Sequence, residues 1–248
     1  MEVGFKSDRG MRRQNNEDAC FMLLADNVYV VADGVGGGNA GEIASRTAVS
    51  QIANYIVEHP MEPTDDRYKI ATYFQYCLDK VNMHIYEMAS RHEANRGMAT
   101  TIVTVFVDRG KAYVANVGDS RAYLFRDGQL TQLTEDHTYV NELVKAGKLT
   151  REMAELDDRK NVITRALGAE PSVQPDFFQV DVAEDDIIIM CTDGLYDEVS
   201  DSEIIEVLEK GYTMSATCSE LVSLANDHGG HDNITVISLR VMEEDIDG

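Results

Sequence analysis

The chain has 248 residues, 44% hydrophobic and 27% charged, with 22 Lys and Arg against 44 Asp and Glu for a formal net charge of −22. That length can bury one good core, the composition is that of a folded globular protein, and the acidity disfavours nucleic acid or an anionic membrane as partner because both would be repelled. The four cysteines (Cys20, Cys77, Cys191, Cys218) lie far apart without CxxC spacing, which argues against a zinc site or a disulfide framework.

The first residues lack the basic and apolar regions of a signal peptide, and no apolar run approaches the about 20 residues of a membrane helix. A cytoplasmic location is expected. Residues 2–8 and Ala19–Ala25 read as strands joined by a polar turn, and Asn27 leads into a third strand over 28–32. Two long helices are expected next, about 40–58 (its first turn at Asn39) and 65–93, split by Pro60 and Pro63. In the second, Ile70, Phe74, Cys77, Leu78, Val81 and Ile85 make one apolar stripe.

The pattern then turns to short β-rich runs at Thr100–Val107, Lys111–Val117, Arg121–Arg126 and Gln129–Leu133, with a hairpin signal at Arg126-Asp127-Gly128-Gln129. Residues 137–170 break that rhythm with short helices around Tyr139–Ala146 and Arg151–Leu156, as an insertion covering something would. Strands resume at Asp176–Val182 and Ile187–Cys191, helices follow at about 201–209 and 215–227, and a last strand spans Asn233–Val241. The tail 243–248 is expected to fray. With no repeat and no linker, one domain over 1–248 is expected, with two stacked antiparallel sheets and helices outside.

The organising stretch is Val28-Tyr29-Val30-Val31-Ala32-Asp33-Gly34-Val35-Gly36-Gly37-Gly38. An apolar strand ends on a carboxylate, and a glycine-dense turn follows. Charge at the edge of a core needs a partner, and a metal ion is one candidate. The device recurs at Met190-Cys191-Thr192-Asp193-Gly194, and Glu17, Asp18, Asp119 and Asp232 stand at similar strand ends. Convergence of these acids would give a site of hard oxygen donors, which suits Mg²⁺ or Mn²⁺ better than Zn²⁺. Gly34 lacks a Cβ, so its backbone carbonyl could also approach a metal. Asp-Gly is also a common turn, and Asp127-Gly128 reads as that alone. Arg13 adds a guanidinium able to grip a phosphate through two parallel bonds.

Gly10-x-x-Arg13-x-x-Asn16-Glu17-Asp18, Val31-Ala32-Asp33-Gly34-x-Gly36-Gly37, Gly97-x-x-Thr100-Thr101, Val117-Gly118-Asp119-Ser120-Arg121, Thr192-Asp193-Gly194-Leu195 and His231-Asp232-Asn233 occur in that order. They resemble the metal-dependent protein phosphatases, the protein phosphatase 2C family in its compact bacterial form, from about residue 3 to 241. The resemblance implies an α+β fold, a four-layer α/β/β/α sandwich of two antiparallel sheets flanked by helices, with a flap at about 137–165. It implies that Asp33 bridges two Mg²⁺ or Mn²⁺ ions with the Gly34 carbonyl, that Asp193 and Asp232 complete the first ion's shell, and that Glu17 serves the second through water. Asp119 with Asp193 would hold a third, weaker ion. Asp18 and Asn233 would orient waters or neighbouring ligands, and Arg13 would bind the substrate phosphate.

The implied reaction is hydrolysis of phosphoserine and phosphothreonine in proteins by a metal-activated water, opposing a bacterial Ser/Thr kinase, with the protein a monomer. The ions would lower the pKa of that water and, with Arg13, offset phosphoryl charge. Val35 stands where some relatives carry a histidine as proposed general acid, and Gly38 is not the histidine often found in bacterial relatives. The leaving group's proton would then come from water in the site or from a flap residue, for which His137 is a speculative candidate.

Rival readings are weaker. Gly36-x-Gly38-x-x-Gly41 matches a dinucleotide fingerprint, but the next strand comes only after two helices and Asp33 would face the pyrophosphate. A cysteine phosphatase needs an arginine six positions after a cysteine, and Asp26, Met83, Asp197 and Leu224 stand there instead. A non-enzymatic, phosphatase-like partner-binding module is the remaining alternative, and intact Arg13 and acids count against it.

Overall fold

A computed structural model describes residues 1–37, 40–62, 64 and 66–246. Two antiparallel sheets form its middle. One runs β1-β11-β10-β7-β8, from β1 (Glu2–Asp8), β7 (Arg121–Arg126), β8 (Gln129–Gln132), β10 (Ile187–Cys191) and β11 (Ile234–Arg240). The other runs β2-β3-β5-β6-β9, from β2 (Asp18–Leu23), β3 (Val28–Val35), β5 (Ile102–Asp108), β6 (Lys111–Val117) and β9 (Asp176–Asp181), with β4 (Ala99–Thr100) beside the end of β3. Helices α1 (Ala40–Glu58) and α2 (Arg67–Arg91) cover the second sheet. The first is covered by α5 (Asp193–Tyr196), α6 (Asp201–Glu209) and α7 (Met214–His228). Short helices α3 (Tyr139–Lys145) and α4 (Arg151–Glu155) lie in the 137–170 segment.

Strand parity explains the continuous apolar runs. Successive side chains point to opposite faces, and here both faces of each sheet are covered. Val28, Val30 and Ala32 pack under α1 and α2, while Tyr29 and Val31 enter the layer between the sheets. Ile187, Ile189 and Cys191 likewise face α5–α7, whereas Ile188 and Met190 face inward. The four-layer α/β/β/α arrangement expected from the sequence is therefore the one observed. The same parity aims Asp33 and, on β2, Asp18 toward the inter-sheet face.

The departures from expectation have local causes. Thr100–Val107 is not one strand: β4 pairs with Gly34 and Val35, β5 pairs with Val28–Val31, and Thr101 breaks the run. The backbone N–H of Thr101 donates to the Asp33 carbonyl at 2.9 Å instead of continuing a ladder. β2 stops at Leu23 because Leu24–Asp26 forms a 3-10 turn ending on left-handed Asn27 (φ 50). Helix α5 was not expected at all. The tail does not fray at its start: 243–245 forms a 3-10 turn, Gly110 donates to the Asp245 carbonyl at 3.2 Å, and Ile246 packs on the inter-sheet core. The expectations at Gly38, Asn39, Pro63, Asp65, Asp247 and Gly248 lie outside the described residues. Asp127 and Gly128 have positive φ (51 and 73) between paired Arg126 and Gln129, a hairpin turn and nothing more.

Candidate active site

The acids meet at one end of the cleft between the sheets. Asp18 and Asp33 are direct cross-strand partners on β2 and β3, so their side chains emerge on the same face. From the other sheet come Asp193, just past β10, and Asp232, just before neighbouring β11. Asp193 lies close enough to Asp33 for the two to interact, and Asp33 feels the charges of Asp193, Asp18, Asp119 and Asp232.

The backbone under Asp33 is clamped. Its N–H donates to Thr101 Oγ1 at 2.9 Å, and its carbonyl accepts from Thr100 Oγ1 at 2.8 Å. The next residue must be glycine, because a Cβ at Gly34 would sit 2.1 Å from the Gly41 carbonyl oxygen and 2.6 Å from that of Glu17. This close approach brings the start of α1 against β3 and lays the Glu17 carboxylate beside Gly41. Ser45 Oγ on α1 donates to the Glu17 carbonyl at 2.5 Å, fixing that residue from the helix side.

Asn233 staples the loop that carries Arg13. Its Oδ1 accepts from Glu17 N at 2.8 Å, and its Nδ2 donates to the carbonyls of Arg9 at 2.9 Å and Asn15 at 2.8 Å. Its backbone N–H donates to Asp232 Oδ1 at 2.7 Å, so one residue sets both loop and acid, the loop through its side chain and the acid through its backbone. Arg13 Nη2 reaches Asp232 Oδ2 at 2.5 Å, with its side chain 49% exposed at the rim.

Burial raises the acids, and mutual repulsion raises them further. The Asp18 and Asp119 carboxyls are each pushed up to about 8, Asp193 up to about 6, and Asp33 well above the usual carboxylate range. Glu17 is also raised by burial, with Arg13 pulling back. Asp18 Oδ1 and Asp193 Oδ1 are buried with no hydrogen-bond partner. Among the described residues no three His, Cys, Asp or Glu side chains close into a finished coordination cage. The acids instead form a repelling cluster whose orphaned oxygens ask for positive charge. Hard divalent cations fit this donor set: all oxygen, without imidazole or thiolate.

His137 occupies a different place from the one a proton donor needs. It is 2% exposed, its Nδ1 accepts from Gly118 N–H at 3.0 Å, and its Nε2 lies 3.1 Å from Asp176 Oδ2. With Nδ1 accepting, the proton on Nε2 is given to Asp176, and Arg165 Nη1, which donates to Asp176 Oδ1 at 3.0 Å, lies 3.1 Å from the same ring nitrogen. Burial holds the imidazole below its usual pKa against the pull of Asp176. His137 braces the base of the 137–165 segment against the Asp119 loop. The expected result for His137→Ala is a loss of about 1–3 kcal/mol in stability from the groups left unpaired, with an unchanged ratio of turnover on phosphothreonine peptide to p-nitrophenyl phosphate. A selective loss on the peptide, whose leaving group needs the proton, would restore the acid role. His231 is also turned aside, pairing with Glu198 Oε1 at 2.6 Å, and Cys191 is buried core.

Two side chains that brace the acids had no role in the sequence reading. Thr192 gives its hydroxyl to Asp18 Oδ2 at 2.9 Å and does not cap α5, although it stands directly before Asp193. Tyr196 ends the same helical turn and donates to the Asp119 carbonyl at 3.0 Å. Its position one turn after Asp193 was the available signal.

Known proteins share this fold. Residues 9–232 match the family model of protein phosphatase 2C. The chain is 38% identical over 240 residues to the serine/threonine phosphatase stp of Listeria monocytogenes, covering 96% of this chain and 94% of that one. It superimposes on the Streptococcus agalactiae serine/threonine phosphatase with a TM-score of 0.89 at 35% identity, covering 97% and 99% of the two chains. The catalytic domain of the serine threonine protein phosphatase PstP, solved with 2 manganese ions, gives a TM-score of 0.84 at 33% identity, covering 97% and 98%. The chain belongs to the protein phosphatase 2C family of metal-dependent bacterial Ser/Thr protein phosphatases.

Proposed function

We propose that the chain hydrolyses phosphoserine and phosphothreonine in proteins at the carboxylate cluster, with Mg²⁺ or Mn²⁺ as cofactor, and that it opposes a Ser/Thr protein kinase. The observation that carries this is the convergence of buried acids with orphaned oxygens beside a half-exposed arginine. Asp33, the Gly34 carbonyl, Asp193 and Asp232 would hold two core ions, Glu17 would serve one of them, and Asp119 with Asp193 would hold an outer ion. When bound, the cations activate a water for in-line attack on phosphorus and offset charge on the phosphoryl oxygens.

The chain's own groups do the rest. Arg13 orients the phosphate with its planar fork, and the Asn233 staple holds that arginine's loop in register with Asp232. Asp18, kept in place by Thr192, accepts from water on the inter-sheet side. As the water oxygen bonds to phosphorus, the bond to the serine or threonine oxygen breaks, and that oxygen takes its proton from water in the site. Segment 137–165 serves as a flap, latched to the body where Lys160 Nζ and Asn161 Nδ2 donate to Asp197 Oδ1 and Oδ2 at 2.9 and 3.1 Å. The reading treats 1–248 as one phosphatase domain, monomeric and cytoplasmic, without nucleic-acid binding or membrane insertion. No helix among the described residues is long and apolar enough to cross a membrane.

Phosphate release from a phosphothreonine peptide with EDTA, Mg²⁺ or Mn²⁺ tests the function. Turnover restored by either ion supports it, and none from folded protein in any ion sinks it. Arg13→Ala is expected to lower kcat/KM about 100-fold, mostly through KM, with Arg13→Lys recovering only part because an ammonium lacks the fork. Equal activity of Arg13→Lys and wild type would show that a point charge suffices.

A further inference from the structure

Asp119 and Asp193 come from different sheets, one after β6 and the other after β10, so the distance between them crosses the cleft. One side chain outside the carboxylate cluster spans that gap. Tyr196, at the end of the turn that Asp193 begins, donates its hydroxyl to the Asp119 carbonyl at 3.0 Å. Its ring is held from one face by Arg121, whose guanidinium carbon lies 3.5 Å from the ring centroid. That guanidinium is itself immobilised. Nε donates to Asp136 Oδ1 at 3.0 Å, Nη2 to Asp136 Oδ2 at 2.6 Å, and Nη1 to Tyr123 Oη at 2.9 Å. Arg121 and Asp136 are only 22% and 15% exposed, so this fork is not a loose surface pair. On the far side of Asp119, Ser120 Oγ meets Thr101 Oγ1 at 2.7 Å, and Thr101 in turn bonds the Asp33 backbone.

We propose that Tyr196, clamped by Arg121 and Asp136, is a positioning residue that fixes the span between the Asp119 and Asp193 carboxylates and thereby sets how tightly the outer divalent cation is held. The inference rests on the reading that those two aspartates form the outer site. A small divalent ion demands near-ideal octahedral geometry, so a site with only two protein carboxylates is sensitive to their separation. The core ions draw on Asp33, the Gly34 carbonyl and Asp232 as well, and those are fixed by Thr100, Thr101 and Asn233 rather than by Tyr196.

The test is Mn²⁺ titration of the metal-stripped full chain, followed by calorimetry and by the Mn²⁺ spin-resonance signal, for wild type, Tyr196→Phe, Arg121→Lys and Asp119→Asn. Tyr196→Phe removes one oxygen and keeps the ring under Arg121, so the test does not depend on Arg121→Lys folding. Tyr196→Phe is expected to weaken the weakest binding phase about tenfold, the worth of roughly one hydrogen bond, and to leave the tighter phases unchanged. Arg121→Lys keeps the charge but loses the fork, and is expected to do the same without adding to Tyr196→Phe in the double variant. Coincident isotherms for Tyr196→Phe and wild type, while Asp119→Asn erases the weak phase, would overturn the positioning role. Equal weakening of every phase would overturn it too, as a general loss of structure. If Asp119→Asn erases no phase, the outer-site assignment fails first and the proposal fails with it.

Discussion

Asp33→Asn is expected to abolish turnover, with a fall in kcat of at least about a thousandfold, while making the metal-free protein more stable. Both effects have one cause. Asp33 is buried among Asp193, Asp18, Asp119 and Asp232, and its carboxyl is raised by burial first and by those charges next. An amide has nearly the same shape and carries no charge, so the substitution removes repulsion within the folded chain. It also removes the anionic oxygen that two cations would share, which an amide oxygen replaces poorly. For a chain of this length each kcal/mol gained raises the thermal midpoint by about 2–4 °C. The check is thermal unfolding in EDTA beside peptide turnover in Mn²⁺, on protein whose circular dichroism matches wild type. Residual activity above about a tenth of wild type would remove Asp33 from the bridging position. An inactive variant that is also less stable would show that the carboxylate holds the fold together rather than straining it.

What could be read in advance divides by range. β6, β7, β10 and α6 matched because glycines, turn residues and apolar runs specify them locally. The acids could be nominated by their strand-end context. What brings them together is sheet pairing between distant segments, such as β1 with β11 and β10 with β7, and no local pattern encodes that. Thr101 was misread as mid-strand for a related reason: β-branched threonine favours a strand, yet its partner is Asp33, 68 positions away. His137 is the converse case. A histidine at the entrance of an insertion invites a catalytic role, and only the structure shows Gly118 at one ring nitrogen and Asp176 and Arg165 at the other.

Without metal, the protein is expected to lose stability as pH rises from about 5 to 8, and saturating Mn²⁺ is expected to restore it most at the alkaline end. The unfolded aspartates titrate near 3.9, whereas folded Asp193 is raised to about 6 and Asp18 and Asp119 to about 8. Between those limits the folded chain holds protons that the unfolded chain has released, so unfolding becomes easier with each step upward in pH. The stabilisation is complete below about pH 4 and gone above about 8. Asp193 alone accounts for on the order of 3 kcal/mol. Groups held low act in the opposite sense at the acid end, among them Glu152, Asp157 and Glu203, lowered by local hydrogen bonds. His137, held below its usual pKa by burial, and Asp176, held low by His137 and Arg165 against its own burial, both favour unfolding as pH falls. Metal-free stability should therefore peak at about pH 4 and fall above it, because the several raised acids outweigh His137 and Asp176. Cations compete with protons for the same oxygens, so at a hundred times its dissociation constant Mn²⁺ adds about 2.7 kcal/mol at pH 8 and progressively less toward pH 5. Surface repulsion from the net charge of −22 also grows with pH, but it is screened by salt while the buried cluster is not. Thermal midpoints across pH 5–8, in EDTA and in Mn²⁺ at low and high salt, separate the two. A flat or rising metal-free profile at high salt, with a Mn²⁺ shift independent of pH, would mean that the acids are neither mutually destabilising nor the place where the cations bind.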